Sequence, residues 1–383
     1  MADAARIEPF HLNIPQTALD DLKLRLDMTR WPERETVSDW SQGAPLAKVR
    51  GLCDYWRGTY DWRRCENMLN GFGQFRTEID GLGIHFLHIP SPEAKALPLL
   101  MTHGWPGSII EFHKVIGPLT NPVAHGGNAG DAFHLVLPTL PGYGFSDKPT
   151  TIGWNSAKIA KAWLTLMQRL GYTRFVAQGG DWGSAMTTAL AALQPKELAA
   201  IHLNLIFAQP DKADMENPTP EEAEALAAMK YYQDKEGAYA FQQRTRPQTL
   251  GYGLADSPAG QAAWIYEKLC TWSDCSGDPE NVLTLDEMLD NIMLYWLPNA
   301  GTSSARLYWE SFNRSGLQTG PIEVPTGCSI FPKEINKTSR RWAERTFKNI
   351  VHWNRLDRGG HFAAFEQPQL FVEELRTCFR QFR

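Results

Sequence analysis

The chain has 383 residues, of which 43% are apolar and 21% charged, and a formal net charge of -5. That length can bury a substantial core in one large domain or in two to three smaller ones, and the composition is that of a soluble globular protein. The acidic balance offers no basic surface for nucleic acid, and no apolar run reaches the length of a membrane span.

The six cysteines, at 53, 65, 270, 275, 328 and 378, form no CxxC pair and no metal-type spacing with histidine. Reduced thiols in a cytoplasmic protein are therefore expected. The start of the chain lacks the apolar core of a signal peptide. The 14 Trp, 18 Phe and 11 Tyr suit an aromatic-lined pocket, although core packing must account for most of them.

In chain order, residues 14–26 read as an amphipathic helix, with Thr17 as its cap and Leu19, Leu22 and Leu26 on one face. Residues 1–74 are rich in Trp, Arg and Tyr and show no clear strand, which predicts a helical meander packed on the core and lid of a larger body. A hairpin is predicted over 75–89, turning at Asp80-Gly-Leu-Gly83. Strands follow at 97–102 and 133–138. A helix with Ile159, Trp163, Leu166, Met167 and Leu170 on one face leads to a strand at 174–178, a helix at 184–193 and a strand at 199–205. This alternation implies an α/β class, a mainly parallel sheet with helices on both faces. Over 209–309 the pattern turns helical, with helices at 218–232, 237–245, 257–271 and 283–295. Such an insertion reads as a lid between two parts of the core, 75–208 and 310–383. The second part holds strands at 325–331 and 349–353 and a helix at 340–346.

The chemistry gathers where the predicted strands end. Gly179-Gly-Asp-Trp-Gly183 has the small-x-nucleophile-x-small shape of a nucleophile elbow, with Asp181 at its tip. A serine there would attack carbonyl carbon. A carboxylate suits displacement at saturated carbon and leaves an alkyl ester for water to cleave. That directs the reading to epoxides or alkyl halides. Alone, the pentapeptide is equally good turn chemistry, so its partners decide. His361, in the Gly-rich loop after the last strand, suits a general base. Glu334, after the preceding strand, can orient its imidazole; Asp357 competes, but sits close to His361 in sequence. The order nucleophile, acid, histidine matches an α/β-hydrolase triad. His103-Gly-Trp-Pro-Gly-Ser108 follows the strand at 97–102, where that fold places its oxyanion loop. The N–H groups of Trp105 and Trp182 would converge on a developing oxyanion, and His103, Gly104 and Pro106 would face the substrate pocket.

Together these segments resemble the epoxide hydrolases of the α/β-hydrolase superfamily, on the branch of the microsomal and juvenile-hormone enzymes and their fungal and bacterial relatives. The resemblance runs from Ile7-Glu-Pro-Phe10 and Trp31-Pro32 through the two motifs above and Pro141-Gly-Tyr-Gly-Phe-Ser146 to Pro325-Thr-Gly327 and Gly359-Gly-His-Phe-Ala-Ala-Phe365. It covers nearly the whole chain. It implies a triad of Asp181, Glu334 and His361, a cis Trp105-Pro106 bond, no metal or cofactor, and two lid tyrosines that hydrogen-bond the epoxide oxygen. Tyr308, in Ala305-Arg-Leu-Tyr-Trp-Glu310, matches one closely. Tyr239, in Gly237-Ala-Tyr-Ala-Phe241, is the best match to the other, and Tyr231, Tyr232, Tyr252, Tyr266 and Tyr295 share the lid with it. Animal members of the branch carry a membrane anchor, which this chain lacks; a soluble, microbial-type enzyme is expected. The implied reaction opens an epoxide to a vicinal diol through a hydroxyalkyl ester on Asp181. The expected partner is a small-molecule epoxide, a bulky aromatic or natural-product one among the options, with a homodimer left open. Haloalkane dehalogenation by the same Asp is the alternative. A binding receptor on this scaffold is a third class, against which the intact triad argues.

Overall fold

The structure, a computed structural model, describes residues 6–313 and 320–383. Among them one sheet holds β1 Ile7–Pro9, β2 Gln74–Ile79, β3 Leu82–Ile89, β4 Leu97–Thr102, β5 Phe133–Pro138, β6 Phe175–Gly179, β7 Leu198–Leu203, β8 Thr326–Ile330 and β9 Ile350–Arg355. Their spatial order is β1-β2-β3-β5-β4-β6-β7-β8-β9. The pairings from β1 to β5 through β2 and β3 are antiparallel, and those from β5 to β9 are parallel. The central strands are apolar on both sides because both sides are covered: Leu99, Leu100, Met101, Val176 and Ala177 are all buried. Two helix pairs, His113–Thr120 with Pro368–Phe379 and Ser156–Arg169 with Trp182–Ala192, supply the cover. The β2–β3 turn forms because Asp80 and Gly81 both take left-handed φ, 51° and 76°, which matches the twist of a two-residue hairpin.

The lid helices start where capping residues dictate. Thr219 and Glu222 form one capping box and Thr284 and Glu287 another, opening Pro220–Tyr231 and Leu285–Trp296. Between them lie Ala238–Thr245, Pro247–Asp256 and Pro258–Thr271, and after them Gly301–Asn313. The last of these runs through the boundary expected at 309/310, so the lid's final helix extends to Asn313. Arg341 and Arg345, on the core helix Arg340–Thr346, grip the buried lid carboxylates of Glu222 and Asp214 at 2.6 and 2.7 Å. On another side, helices Leu46–Gly58 and Trp62–Gly71 pack on the lid. There Tyr60 and Arg64 both donate to Asp290 at 2.7 Å.

Two local expectations are corrected. Thr17 caps nothing: the helix runs Gln16–Asp27 behind Pro15, whose fixed φ starts it, and no side chain caps it. The N-terminal segment does contain a strand, β1, too short for a pattern and paired with residues near position 76. No helix among the described residues is long and apolar enough to cross a membrane.

Candidate active site

β6 ends at Gly179 and the next helix begins at Trp182, so Asp181 stands at the corner with φ 49° and ψ -127°. A non-glycine residue there is strained, and the close packing around it holds it. A Cβ on Gly183 would lie 1.9 Å from the Thr102 carbonyl oxygen, so only glycine lets the helix approach β4 this closely. The neighbouring loop follows β4. Its Trp105-Pro106 bond is cis, as the resemblance implied, and its Trp105 N–H donates to Asp181 Oδ1 at 2.8 Å. Trp182 is the first residue of its helix, where an N–H has no acceptor within the helix.

His361 arrives in the loop after β9. Its N–H donates to the Trp272 carbonyl at 2.9 Å, and Lys333 N–H donates to the Gly359 carbonyl at 3.1 Å, which sets the two catalytic-end loops side by side. Its Nδ1 lies 2.7 Å from Glu334 Oε1 and its Nε2 3.3 Å from Asp181 Oδ2. Asp357 is 81% exposed at its side chain and takes no part. Burial disfavours charge on His361, but the Glu334 and Asp181 carboxylates outweigh it and hold its pKa well above the ordinary value.

The lid closes over this group with aromatic rings. Tyr239 stacks on Trp105 at 4.8 Å and 10°, and Tyr308 meets Trp182 edge-on at 4.8 Å. The two tyrosine rings are 5.8 Å apart, nearly perpendicular. The Tyr239 hydroxyl lies 3.0 Å from that of Tyr232, while the buried Tyr308 hydroxyl has no hydrogen-bond partner among the described residues. Burial, reinforced by neighbouring tyrosines and Asp181, raises both pKa values well above that of a free phenol, so both remain protonated donors. A cavity of ≈ 1090 Å³ is lined by Asp181, Trp182, Tyr232, Tyr239, Tyr308 and Phe312, with further residues toward solvent. That room accommodates a bulky apolar molecule.

Three expected pocket residues stay out of the large cavity, although His103 and Gly104 border a much smaller one beside Asp181. His103 is buried in the core, where its Nε2 accepts from Leu140 N–H at 3.2 Å and its Nδ1 lies 3.0 Å from the Gly104 carbonyl. Burial lowers its pKa to about 4, so it stays neutral and braces the loop. Gly104 lies under Asp181, where a Cβ would come 2.2 Å from Oδ1. Pro106 turns its carbonyl to Asn291 Nδ2 at 2.8 Å, and none of the three lines the large cavity. Sequence reasoning missed Asn291 and Trp272 and gave Tyr295, one of the lid tyrosines, no role of its own. Tyr295 donates to the Gly107 carbonyl at 2.7 Å, and Trp272 sets its ring edge-on to His361 at 5.0 Å. No local pattern marks them, because each acts across a long stretch of chain.

One group of side chains among the described residues has metal-ligand geometry, His202, His352 and Glu374, with ligand atoms within 4.8 Å of one another. Its hydrogen bonds account for it: His202 to Ser329 at 2.8 Å, and His352 and Asn354 to Glu374 at 2.8 and 2.7 Å. None of these residues lines the cavity.

Residues 7–112 match the family described as epoxide hydrolase N terminus, and residues 98–258 match the alpha/beta hydrolase fold family. A Stigmatella aurantiaca (strain DW4/3-1) protein named "Putative epoxide hydrolase" is 60% identical over 98% of this chain and 86% of its own length. Epoxide hydrolase 1 of Sus scrofa is 35% identical over 98% of this chain and 89% of its own. The crystal structure of juvenile hormone epoxide hydrolase from the silkworm Bombyx mori superposes with a TM-score of 0.91 at 31% identity, covering 99% of this chain and 95% of that one. With its sheet order, its strained Asp elbow and these relatives, the chain is an enzyme of the epoxide hydrolase family within the α/β-hydrolase fold.

Proposed function

We propose that the chain hydrolyses an epoxide to a vicinal diol through a covalent ester on Asp181. One observation carries the reading: the Asp181 carboxylate, held by the Trp105 N–H and by His361, shares a cavity with two buried phenols. The epoxide lies between them. Tyr239 and Tyr308 donate to its oxygen while Asp181 attacks a ring carbon from the opposite side. The phenols supply donors at the point where an alkoxide forms, which is where such donors matter most.

Esterification removes the negative charge of Asp181. Of the two carboxylates that held His361 protonated, only Glu334 remains, so the His361 pKa falls and its proton can balance the one the alkoxide gains. The neutral imidazole then activates water toward the ester carbonyl, and the N–H groups of Trp105 and Trp182 hold the oxyanion. Asp181 thus switches its own base on by reacting. Haloalkane displacement is less well supported, since a departing halide needs N–H donors rather than two phenols over an oxygen.

We assign the substrate to bulky aryl or natural-product epoxides on the size of the cavity and its aromatic walls, and the cellular setting to the cytoplasm on the cysteine spacing. The test is turnover of an epoxide panel from styrene oxide upward, with chiral analysis of the diols. Diol formation from aryl epoxides, with haloalkanes untouched, is expected. Release of halide from haloalkanes without diol formation would overturn the reading.

A further inference from the structure

A second, much smaller cavity adjoins the catalytic group. Its volume is ≈ 20 Å³, and Asp181, His361, Thr102, Glu111, Gln178 and Asn204 are among its walls. That is room for one water molecule and nothing larger. A buried water needs two to four polar partners, and this wall supplies them. Thr102 Oγ1 and Gln178 Oε1 are both buried, and neither has a hydrogen-bond partner among the described residues. Gln178 is fixed by its amide, which donates to Asn204 Oδ1 at 2.8 Å.

Glu111 is the unexpected member. It sits in the short turn Ile109–Phe112 that follows the oxyanion loop, and among the described residues no lysine or arginine pairs with it. The chain makes room for its carboxyl: a Cβ on Gly107 would lie 1.1 Å from Glu111 Oε1, so any side chain at 107 would displace it. Burial, opposed by His361 and assisted by Asp181, pushes its pKa up to about 8. That shift favours the uncharged acid, which can both accept from and donate to water without a countercharge.

We propose that Glu111 holds the hydrolytic water in this small cavity, against His361 and aimed at the carboxyl carbon of the Asp181 ester. The assignment depends on the covalent mechanism proposed above. The water gives one hydrogen bond to the Glu111 carbonyl oxygen and directs its other proton at His361 Nε2. Its oxygen bonds to Cγ of Asp181 as that proton passes to His361. The oxyanion then collapses, the bond from Cγ to the hydroxyalkyl oxygen breaks, and His361 returns the proton to the departing alkoxide. The diol leaves, and the remaining carboxyl proton passes from Asp181 to His361, restoring the starting ion pair. Substrate thus enters through the large cavity while water waits in the small one, so the two reactants do not compete for one site.

Single turnovers of styrene oxide, quenched rapidly and followed by mass spectrometry of the Asp181 peptide, separate ester formation from ester decay. In E111L, ester formation is expected within about threefold of the unsubstituted enzyme and ester decay slower by roughly tenfold or more. E111Q keeps an acceptor for water and is expected to decay within about threefold of the unsubstituted enzyme. Q178M removes an orphan acceptor of the same cavity without touching Glu111, so it carries the same expected split should E111L fail to fold. Unchanged decay in E111L, or in Q178M where E111L is unfolded, overturns the proposal. Parallel slowing of both steps does so too, since that is what lost packing would produce. H361Q guards the premise: if it consumes styrene oxide without accumulating ester, the covalent reading itself fails, and the role of Glu111 with it.

Discussion

The strand-end side of the site and the lid side are built on opposite plans. Below, the nucleophile and its base are already engaged: Asp181 with the Trp105 N–H and His361, and His361 with Glu334 at 2.7 Å. Above, the Tyr308 hydroxyl has no hydrogen-bond partner among the described residues, and the Tyr239 hydroxyl lies against a second phenol, that of Tyr232. A buried donor without an acceptor is costly, and in the proposed mechanism an arriving epoxide oxygen relieves that cost. On that mechanism the lower half is pre-organised for a nucleophile that is always there, and the upper half for an oxygen that arrives with the substrate. The two halves are physically joined, since the lid residues Asn291 and Tyr295 hold the carbonyls of the oxyanion loop.

The sharpest break of this contrast is Asp181→Ala. Diol formation is expected to fall by about 10⁵-fold or more, since no other carboxylate occupies the elbow and triad members act as a unit. Retention of substantial turnover, read by diol chromatography, would move the nucleophile elsewhere. On the lid side, Y239F and Y308F are each expected to slow ester formation by about 10²-fold, and the double variant by about 10⁴-fold, the scale of losing preorganised donors. Y232F should cost only a few-fold, because its hydroxyl supports Tyr239 and does not face the oxygen alone. Full activity in Y239F with loss in Y232F would exchange the two assignments and leave the chemistry in place.

Much of the lower half was legible in the sequence, and for a physical reason. Elbow, oxyanion loop and His loop are each a few residues long and sit where a strand ends, so glycine and proline mark them locally. Glu334 was legible through its place after β8. The upper half was legible only by resemblance, since a lid tyrosine is recognised by what it faces. Tyr239, Tyr232 and Tyr252 look alike in sequence, yet the first two line the cavity and Tyr252 is exposed. His103 belongs to the loop that makes the site, but its ring turns back to Leu140 and stays out of the large cavity. Asn291, Trp272 and Glu111 were invisible for the same reason as β1: their partners are far away in sequence or their neighbours carry no motif.

Glu334→Gln sharpens the account of the base. Hydrolysis of the ester is expected to slow by roughly 10² to 10³-fold, because the imidazolium loses its supporting charge. The sign of the pH effect follows from the same charge. Glu334 raises the His361 pKa, so its removal lowers it. The rising limb of ester hydrolysis with pH should move to lower pH in the variant. A limb that stays in place would detach Glu334 from His361.

The smallest effect concerns the tether between lid and core. Arg341 holds the Glu222 carboxyl at about 2, well below the ordinary value, with burial opposing and the Thr219 and Ser339 bonds assisting. A depressed carboxyl pKa contributes stability above its unfolded value that is lost as pH falls through the folded one. Thermal stability should therefore decline between about pH 4.5 and 2. Arg341→Ala should lower the melting temperature by a few degrees at neutral pH and flatten that decline, with ester chemistry unchanged in the folded enzyme. An unaltered acid profile would remove this ion pair from the account.

The central claim is that the carboxylate of Asp181 itself opens the ring, and a single turnover in heavy-oxygen water tests it most directly. With enzyme in excess over epoxide, the oxygen that joins the diol must come from the old, unlabelled carboxylate, and the water oxygen must remain on Asp181. The account therefore requires label in the Asp181 peptide and an unlabelled first-turnover diol. Label in that first diol, with none on Asp181, would mean that water attacks the epoxide directly and would contradict it.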